Sequence, residues 1–304
     1  MAKGAAGSES DRAAAVSPPS VLPAGLTPTA PDAGSGPETG GARSLGRSDP
    51  APPLTMGDAG TWLFLAAGGF VAGQILSTVI LLVIAAANGH LSQLSALAAR
   101  TIPPAWVVVG GLVGLWIGFL GAALLATRLR GTGSLFADMG LRVQRWDPLI
   151  GIGAGLFGQF VLITLLYLPW EHVDPGLSKE LAQPAKHLTG GFPGVDLAVI
   201  GVLTVLVVPV VEEIFFRGLV LRGFIRLFAG AGRVVGPVLA VTTTGIVFGL
   251  AHGELLELLG LAAFGILLSV MAYRYKRLGP CIFAHATFNL IAILAIAFPG
   301  GMVH

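Results

Sequence analysis

The chain alternates long apolar stretches with short polar connections. Crossing a bilayer as a helix takes about 20 apolar residues, and seven stretches of roughly that length follow residue 57. They are Thr61–Ala87, Ala105–Thr127, Leu149–Trp170, Leu197–Leu221, Val234–Ala251, Leu255–Tyr273 and Leu278–Pro299. The pattern predicts an all-α fold, a polytopic transmembrane helix bundle with about seven spans.

Residues 1–57 have a different character, because they are rich in Ala, Gly, Pro and Ser and lack an apolar period. Such a segment buries too little apolar surface to offset its ordering entropy. We therefore expect a disordered N-terminal tail, and a transmembrane helical domain over residues 58–304. The first apolar run is too long for a signal peptide and is interpreted as the first span.

Composition supports a lipid environment. Hydrophobic residues make up 54% of the chain and charged residues 11%, whereas soluble domains carry roughly 25% charged residues. The net charge of +2 is too small to indicate a nucleic-acid partner, so the lipid bilayer is the expected surrounding. The single cysteine, Cys281, excludes an internal disulfide framework and Cys-rich metal sites.

Positive charge is concentrated in alternate connections. The basic residues after spans two, four and six are Arg128, Arg130, Arg142, Arg145, Arg222, Arg226, Arg233, Arg274, Lys276 and Arg277. Lys and Arg accumulate in cytoplasmic loops. The pattern predicts an integral membrane protein, placed in the plasma membrane, with a cytoplasmic N-terminus.

Span four carries charge where charge is costly. Glu213 and Arg217 are one helical turn apart and can pair, whereas Glu212 points about 100° away and has no cation on its own helix. An intramembrane carboxylate without a partner is a candidate general base. The alternative is a solvated charge cluster at the membrane interface.

Spans five and seven supply further polar groups. Phe248 and His252 share one helix face, and the histidine is either functional or interfacial. His285 and Asn289 share a face of span seven. Both can donate hydrogen bonds to an oxyanion, or they hold helices together in lipid.

Taken as an ordered set, the motifs on three spans closely resemble the CPBP family, the CAAX proteases and bacteriocin-processing enzymes that include the type II CAAX prenyl endopeptidases. The motifs are Glu212-Glu213-x-x-x-Arg217, Phe248-x-x-x-His252 and His285-x-x-x-Asn289. The resemblance covers roughly residues 197–297. It implies an intramembrane endopeptidase that hydrolyses a peptide bond in a membrane-associated or prenylated substrate.

The resemblance also implies a role for each position. Glu212 would activate the attacking water, which His252 would share, and His285 with Asn289 would stabilise the oxyanion. The supporting residues would be Glu213, Arg217 and Phe248. No His-Glu-x-x-His or Gly-x-Ser-x-Gly motif is present, so these other peptidase chemistries lack their residues.

Two questions stay open at the level of sequence. Glu212, His252 and His285 could bind zinc or another divalent metal, but asparagine is a poor zinc ligand, so we favour a site that requires no cofactor. The rival to a peptidase is a non-catalytic transporter or scaffold that binds an ion or a partner.

The position of His252 is a separate difficulty. In straight, alternating helices His252 would lie more than roughly 10 Å from Glu212.

The charge pattern yields a test of topology. Reporter fusions at Gly133 and at His304 should lie on opposite sides of the membrane, with Gly133 in the cytoplasm, because an odd number of spans separates them. Accessibility of the two reporters in intact cells measures this. Two reporters on the same side would mean that the number of spans is wrong by one.

Overall fold

The chain folds into helices throughout the part that the computed structural model describes, which comprises residues 56–100, 103–171, 176 and 194–297. No strand occurs among these residues, so the all-α prediction is confirmed. The predicted tail lies outside the described residues except for its last two positions.

Seven long helices, named α1 to α7, occupy the seven predicted spans. They are α1 (Met56–Ala87), α2 (Ala105–Arg130), α3 (Asp147–Trp170), α4 (Gly194–Leu227), α5 (Val235–Ala251), α6 (Leu258–Tyr275) and α7 (Gly279–Ala297). By length and composition, α1, α2, α3, α4 and α6 can cross a membrane, and α5 and α7 are shorter apolar helices. Short helices at Leu94–Ala98 and Leu135–Met139 lie in the connections before and after α2. The fold is that of an integral membrane helix bundle.

Small residues allow neighbouring helices to approach closely. A Cβ atom at Gly118 of α2 would collide with the backbone of Gly69 and Gly73 on α1. A Cβ atom at Gly245 of α5 would lie 2.8 Å from the Ala262 carbonyl oxygen of α6. Close backbone approach of this kind is a main source of helix association in lipid. It makes α1 with α2, and α5 with α6, tight hairpins.

Aromatic rings connect the hairpins through α4. Phe119 of α2 stacks on Phe215 at 3.8 Å between ring centroids. Phe215 meets Phe216 edge-on at 5.0 Å, and Phe216 meets Phe248 of α5 edge-on at 5.1 Å. Edge-to-face and offset arrangements are the favourable geometries for such pairs. The line of rings fixes the middle of α4 relative to both hairpins.

The helix α4 is not a uniform α-helix. Two wide π-helical turns, Leu203–Val207 and Ile214–Val220, flank the short α-helical segment Val208–Glu213. Pro209 is near the start of that segment and provides no backbone N–H, so regular α-helical bonding cannot continue through it. A uniform rotation of about 100° per residue, which the sequence pattern alone suggests, therefore does not hold along the whole of α4. Glu212 and Glu213 lie between them, where π-turns often mark functional sites.

A buried ion pair fixes the start of α7. Arg277, in the connection before α7, donates through Nη2 to Asp147 Oδ1 at 2.7 Å, and the Asp147 side chain is fully buried. The Asp147 carboxylate also accepts the backbone N–H of Gln144. This pair ties the N-terminal end of α3 to the connection that leads into the helix carrying His285.

Candidate active site

The site is built around the buried carboxylate of Glu213. Arg217 Nη1 donates to Glu213 Oε1 at 2.8 Å, and His285 Nδ1 donates to the same oxygen at 3.0 Å. The side chains of Glu213 and Arg217 are fully buried. The Glu213–Arg217 pair predicted from the sequence is therefore present. The bond to His285 joins α4 to α7 and was not predicted.

Arg217 extends the cluster to two further helices. Its Nη2 donates to the Gly265 carbonyl oxygen of α6 at 3.1 Å. Its guanidinium carbon lies 4.4 Å from the centre of the Phe248 ring of α5, within the range of a cation–π contact. One side chain thus contacts α5 and α6 while it neutralises a carboxylate on its own helix.

Glu212 points to a different environment. Its side chain is 12% exposed, and its Oε2 lies 3.9 Å from His285 Nε2, which is too long for a hydrogen bond. Among the described residues this oxygen has no hydrogen-bond partner. Glu213 Oε2 likewise has no partner among the described residues. The adjacent glutamates differ in two other ways: Glu213 is fully buried and accepts from two donors on Oε1, whereas the Glu212 side chain is partly exposed.

His252 and His285 contact the same aromatic ring. Phe248 meets His252 edge-on at 4.7 Å and His285 edge-on at 5.8 Å between ring centroids. Both histidines therefore pack on Phe248, and the separation of His252 from Glu212 stays a prediction. The helix α5 has 17 residues, about 25 Å at 1.5 Å per residue, so it is shorter than the roughly 30 Å hydrocarbon core.

The orientation of His252 is fixed by its own helix. Its Nδ1 donates to the Phe248 carbonyl oxygen at 2.8 Å, because a carbonyl can only accept. The hydrogen therefore lies on Nδ1, and in the neutral ring Nε2 is an acceptor. The residue is exposed at the surface of the described bundle, so Nε2 can bind a water.

Asn289 lies one turn beyond His285 on α7 and bonds to α4. Its Nδ2 donates to the Thr204 carbonyl oxygen at 2.9 Å. A carboxamide has two N–H hydrogens, so one remains for another acceptor. The role of Asn289 in binding an oxyanion stays a prediction.

Two residues near His252 were not identified from the sequence. Tyr167 of α3 donates through its hydroxyl to the Leu256 carbonyl and accepts the Gly260 N–H, both at 3.0 Å, so it anchors the α5–α6 connection. Glu257 in that connection is partly buried. Burial, with a smaller contribution from repulsion by Glu254, raises the pKa of its carboxyl group to about 7. The spacing of these residues gave no signal, because the contact joins distant parts of the chain.

The metal alternative concerns Glu212, His252 and His285. Among the described residues no three His, Cys, Asp or Glu side chains are grouped so that they could hold a metal ion. A site that requires no cofactor stays a prediction.

The fold and the cluster together define an intramembrane helix bundle with a buried Glu–Arg–His network. Residues 194–291 match the model of the type II CAAX prenyl endopeptidase Rce1-like family. The match covers the three motifs from Glu212 to Asn289 and confirms the family resemblance predicted from them. The family is one of proteases, so the matched region has the features of a peptide-bond hydrolase. No curated protein and no solved structure matches the chain.

The network predicts a large cost for loss of its cation. Arg217→Ala should lower the unfolding free energy of the purified protein by about 3–5 kcal/mol, because Glu213 is then left buried without its cation. Thermal unfolding in detergent measures the change. Arg233→Ala is the matched control, since Arg233 is exposed at the start of α5. Equal unfolding temperatures for the two variants would contradict a structural role for the pair.

Proposed function

We propose that the protein is an intramembrane endopeptidase in which Glu212 activates a water for direct attack on a peptide bond. The observation that carries the proposal is the contrast between the glutamates. Glu213 is fully buried and is bonded by Arg217 and His285, whereas the Glu212 side chain is 12% exposed and lies 3.9 Å from His285, beyond hydrogen-bond distance. A general base needs a carboxylate oxygen that water can approach.

The proposed first step uses Glu212 and His252. Glu212 accepts a proton from the water while the water oxygen forms a bond to the scissile carbonyl carbon. The carbonyl π electrons move to the oxygen, which becomes the oxyanion of a tetrahedral intermediate. His252 Nε2 accepts the other hydrogen of the same water and so orients it. Support for this role is the Nδ1 bond to Phe248, which leaves Nε2 as an acceptor.

In the second step the intermediate collapses. The oxyanion electrons re-form the carbonyl, the C–N bond breaks, and the leaving nitrogen takes the proton held by Glu212. His285 Nε2 and the second N–H of Asn289 stabilise the oxyanion between the steps. His285 Nδ1 already donates to Glu213, so donation from Nε2 requires a ring that carries a hydrogen on each nitrogen. Between the steps Glu212 is neutral, so Glu213, Arg217, that ring and the oxyanion together carry no net charge.

The proposed substrate is a peptide or protein that approaches from the membrane. Support comes from the apolar helices around the site and from the family match, whose description names prenylated CAAX sequences. An isoprenoid chain partitions into lipid, which would bring the scissile bond to the depth of the site. The plasma-membrane location and the cytoplasmic N-terminus remain predictions from the charge pattern.

The proposal predicts a specific loss of turnover. Glu212→Gln should reduce kcat by at least about a hundredfold, the usual contribution of a general base, and should leave the unfolding temperature unchanged. Cleavage of a fluorogenic, prenylated peptide by purified protein measures this. Glu254→Gln is the control, because Glu254 is an exposed carboxylate close to His252 in the chain.

The outcome also separates the rival function. A transporter or scaffold would show no cleavage in any variant, including the unaltered protein. Retained cleavage in Glu212→Gln together with loss of cleavage in well-folded Glu213→Gln would mean that the two glutamates have the opposite roles.

A further inference from the structure

The bond between Asn289 and Thr204 has a cause in the backbone of α4. In the wide turn Leu203–Val207, the N–H of Val208 bonds to the Leu203 carbonyl five residues earlier. The next bond of this series would run from the N–H of residue 209 to the Thr204 carbonyl. Residue 209 is proline and has no N–H. Pro209 therefore leaves the Thr204 carbonyl without the backbone N–H that would come next in this series of bonds.

Asn289 provides the missing donor. Its Nδ2 lies 2.9 Å from the Thr204 carbonyl oxygen, a normal hydrogen-bond distance. A carbonyl left without a donor away from water costs free energy comparable to a lost hydrogen bond. The amide of α7 therefore satisfies the backbone position of α4 that Pro209 exposes.

We propose that Asn289 is a positioning residue that caps the Thr204 carbonyl and thereby holds the interrupted part of α4 against α7. Pro209 precedes Glu212 by less than one turn, so the interruption sets where the segment Val208–Glu213 begins. His285, which faces both glutamates, projects from α7 one turn before Asn289. The cap therefore fixes the separation of the helices that carry Glu212 and His285. Its effect on cleavage rests on the proposed function, whereas its effect on structure does not.

The cap can be observed directly. The chain contains two asparagines, Asn88 and Asn289, so selective ¹⁵N-asparagine labelling gives two carboxamide signals. An Asn88→Ser variant assigns them. We expect one proton of the Asn289 carboxamide to exchange with solvent much more slowly than its geminal partner. Equally fast exchange of both protons would overturn the cap.

A double-mutant cycle tests the link to Pro209. Pro209→Ala restores an N–H at the position in register with the Thr204 carbonyl. Asn289→Ala should lower the unfolding temperature by about 2–4 °C in the unaltered protein, and by much less in the Pro209→Ala background. The same loss in both backgrounds would overturn the proposal. Thr287→Val is the control: Thr287 bonds to the Phe283 carbonyl of its own helix, so its effect should not depend on residue 209.

Kinetics distinguish positioning from oxyanion binding alone. If Asn289 only donates to the oxyanion, Asn289→Ala should reduce kcat by the same factor whether residue 209 is proline or alanine. If Asn289 positions α4, the reduction in kcat should be smaller when residue 209 is alanine. KM should change little in either case. Where Pro209→Ala folds but has no turnover, the unfolding cycle decides. Where it does not fold, the exchange measurement decides, because that measurement needs neither the variant nor cleavage.

Discussion

The site depends on the need to neutralise one carboxylate that is fully buried in a membrane bundle. Glu213 has no exposed surface, and an unpaired charge there would cost several kcal/mol. Arg217 and His285 meet this requirement through a single oxygen. Arg217 then bonds to Gly265 and packs on Phe248. The requirement of one buried charge thus determines how four helices, α4 to α7, meet.

The same arrangement places two neighbouring glutamates in different environments. Because the segment Val208–Glu213 is a short α-helix, consecutive side chains diverge by about 100°. Glu213 turns into the bundle, where it is fully buried, and the Glu212 side chain stays 12% exposed. Phe248 packs against both histidines, so it sets their separation without chemistry of its own. The charge is held at the buried carboxylate of Glu213, and the partly exposed side chain of Glu212 lies beside it.

Much of this arrangement could be predicted from the sequence, because lipid imposes simple rules. Apolar length located the helices, and the cost of intramembrane charge singled out Glu212 to Arg217. Sequence spacing could not predict contacts between helices, such as Glu213 with His285 or Arg217 with the Gly265 carbonyl. Nor could spacing predict that His252 and His285 pack on the same ring of Phe248. Pro209 was a visible signal for the interrupted helix, but its partner on α7 required the structure.

The central claim is that Glu212 acts on water and does not itself attack the substrate. A single turnover in H₂¹⁸O with excess enzyme tests it, with mass spectrometry of the product and of the enzyme peptide that contains Glu212. Direct attack by water places one ¹⁸O atom in the new carboxylate of the product and none in the enzyme. The appearance of ¹⁸O in the Glu212 carboxylate would reveal an acyl-enzyme intermediate and would contradict the account.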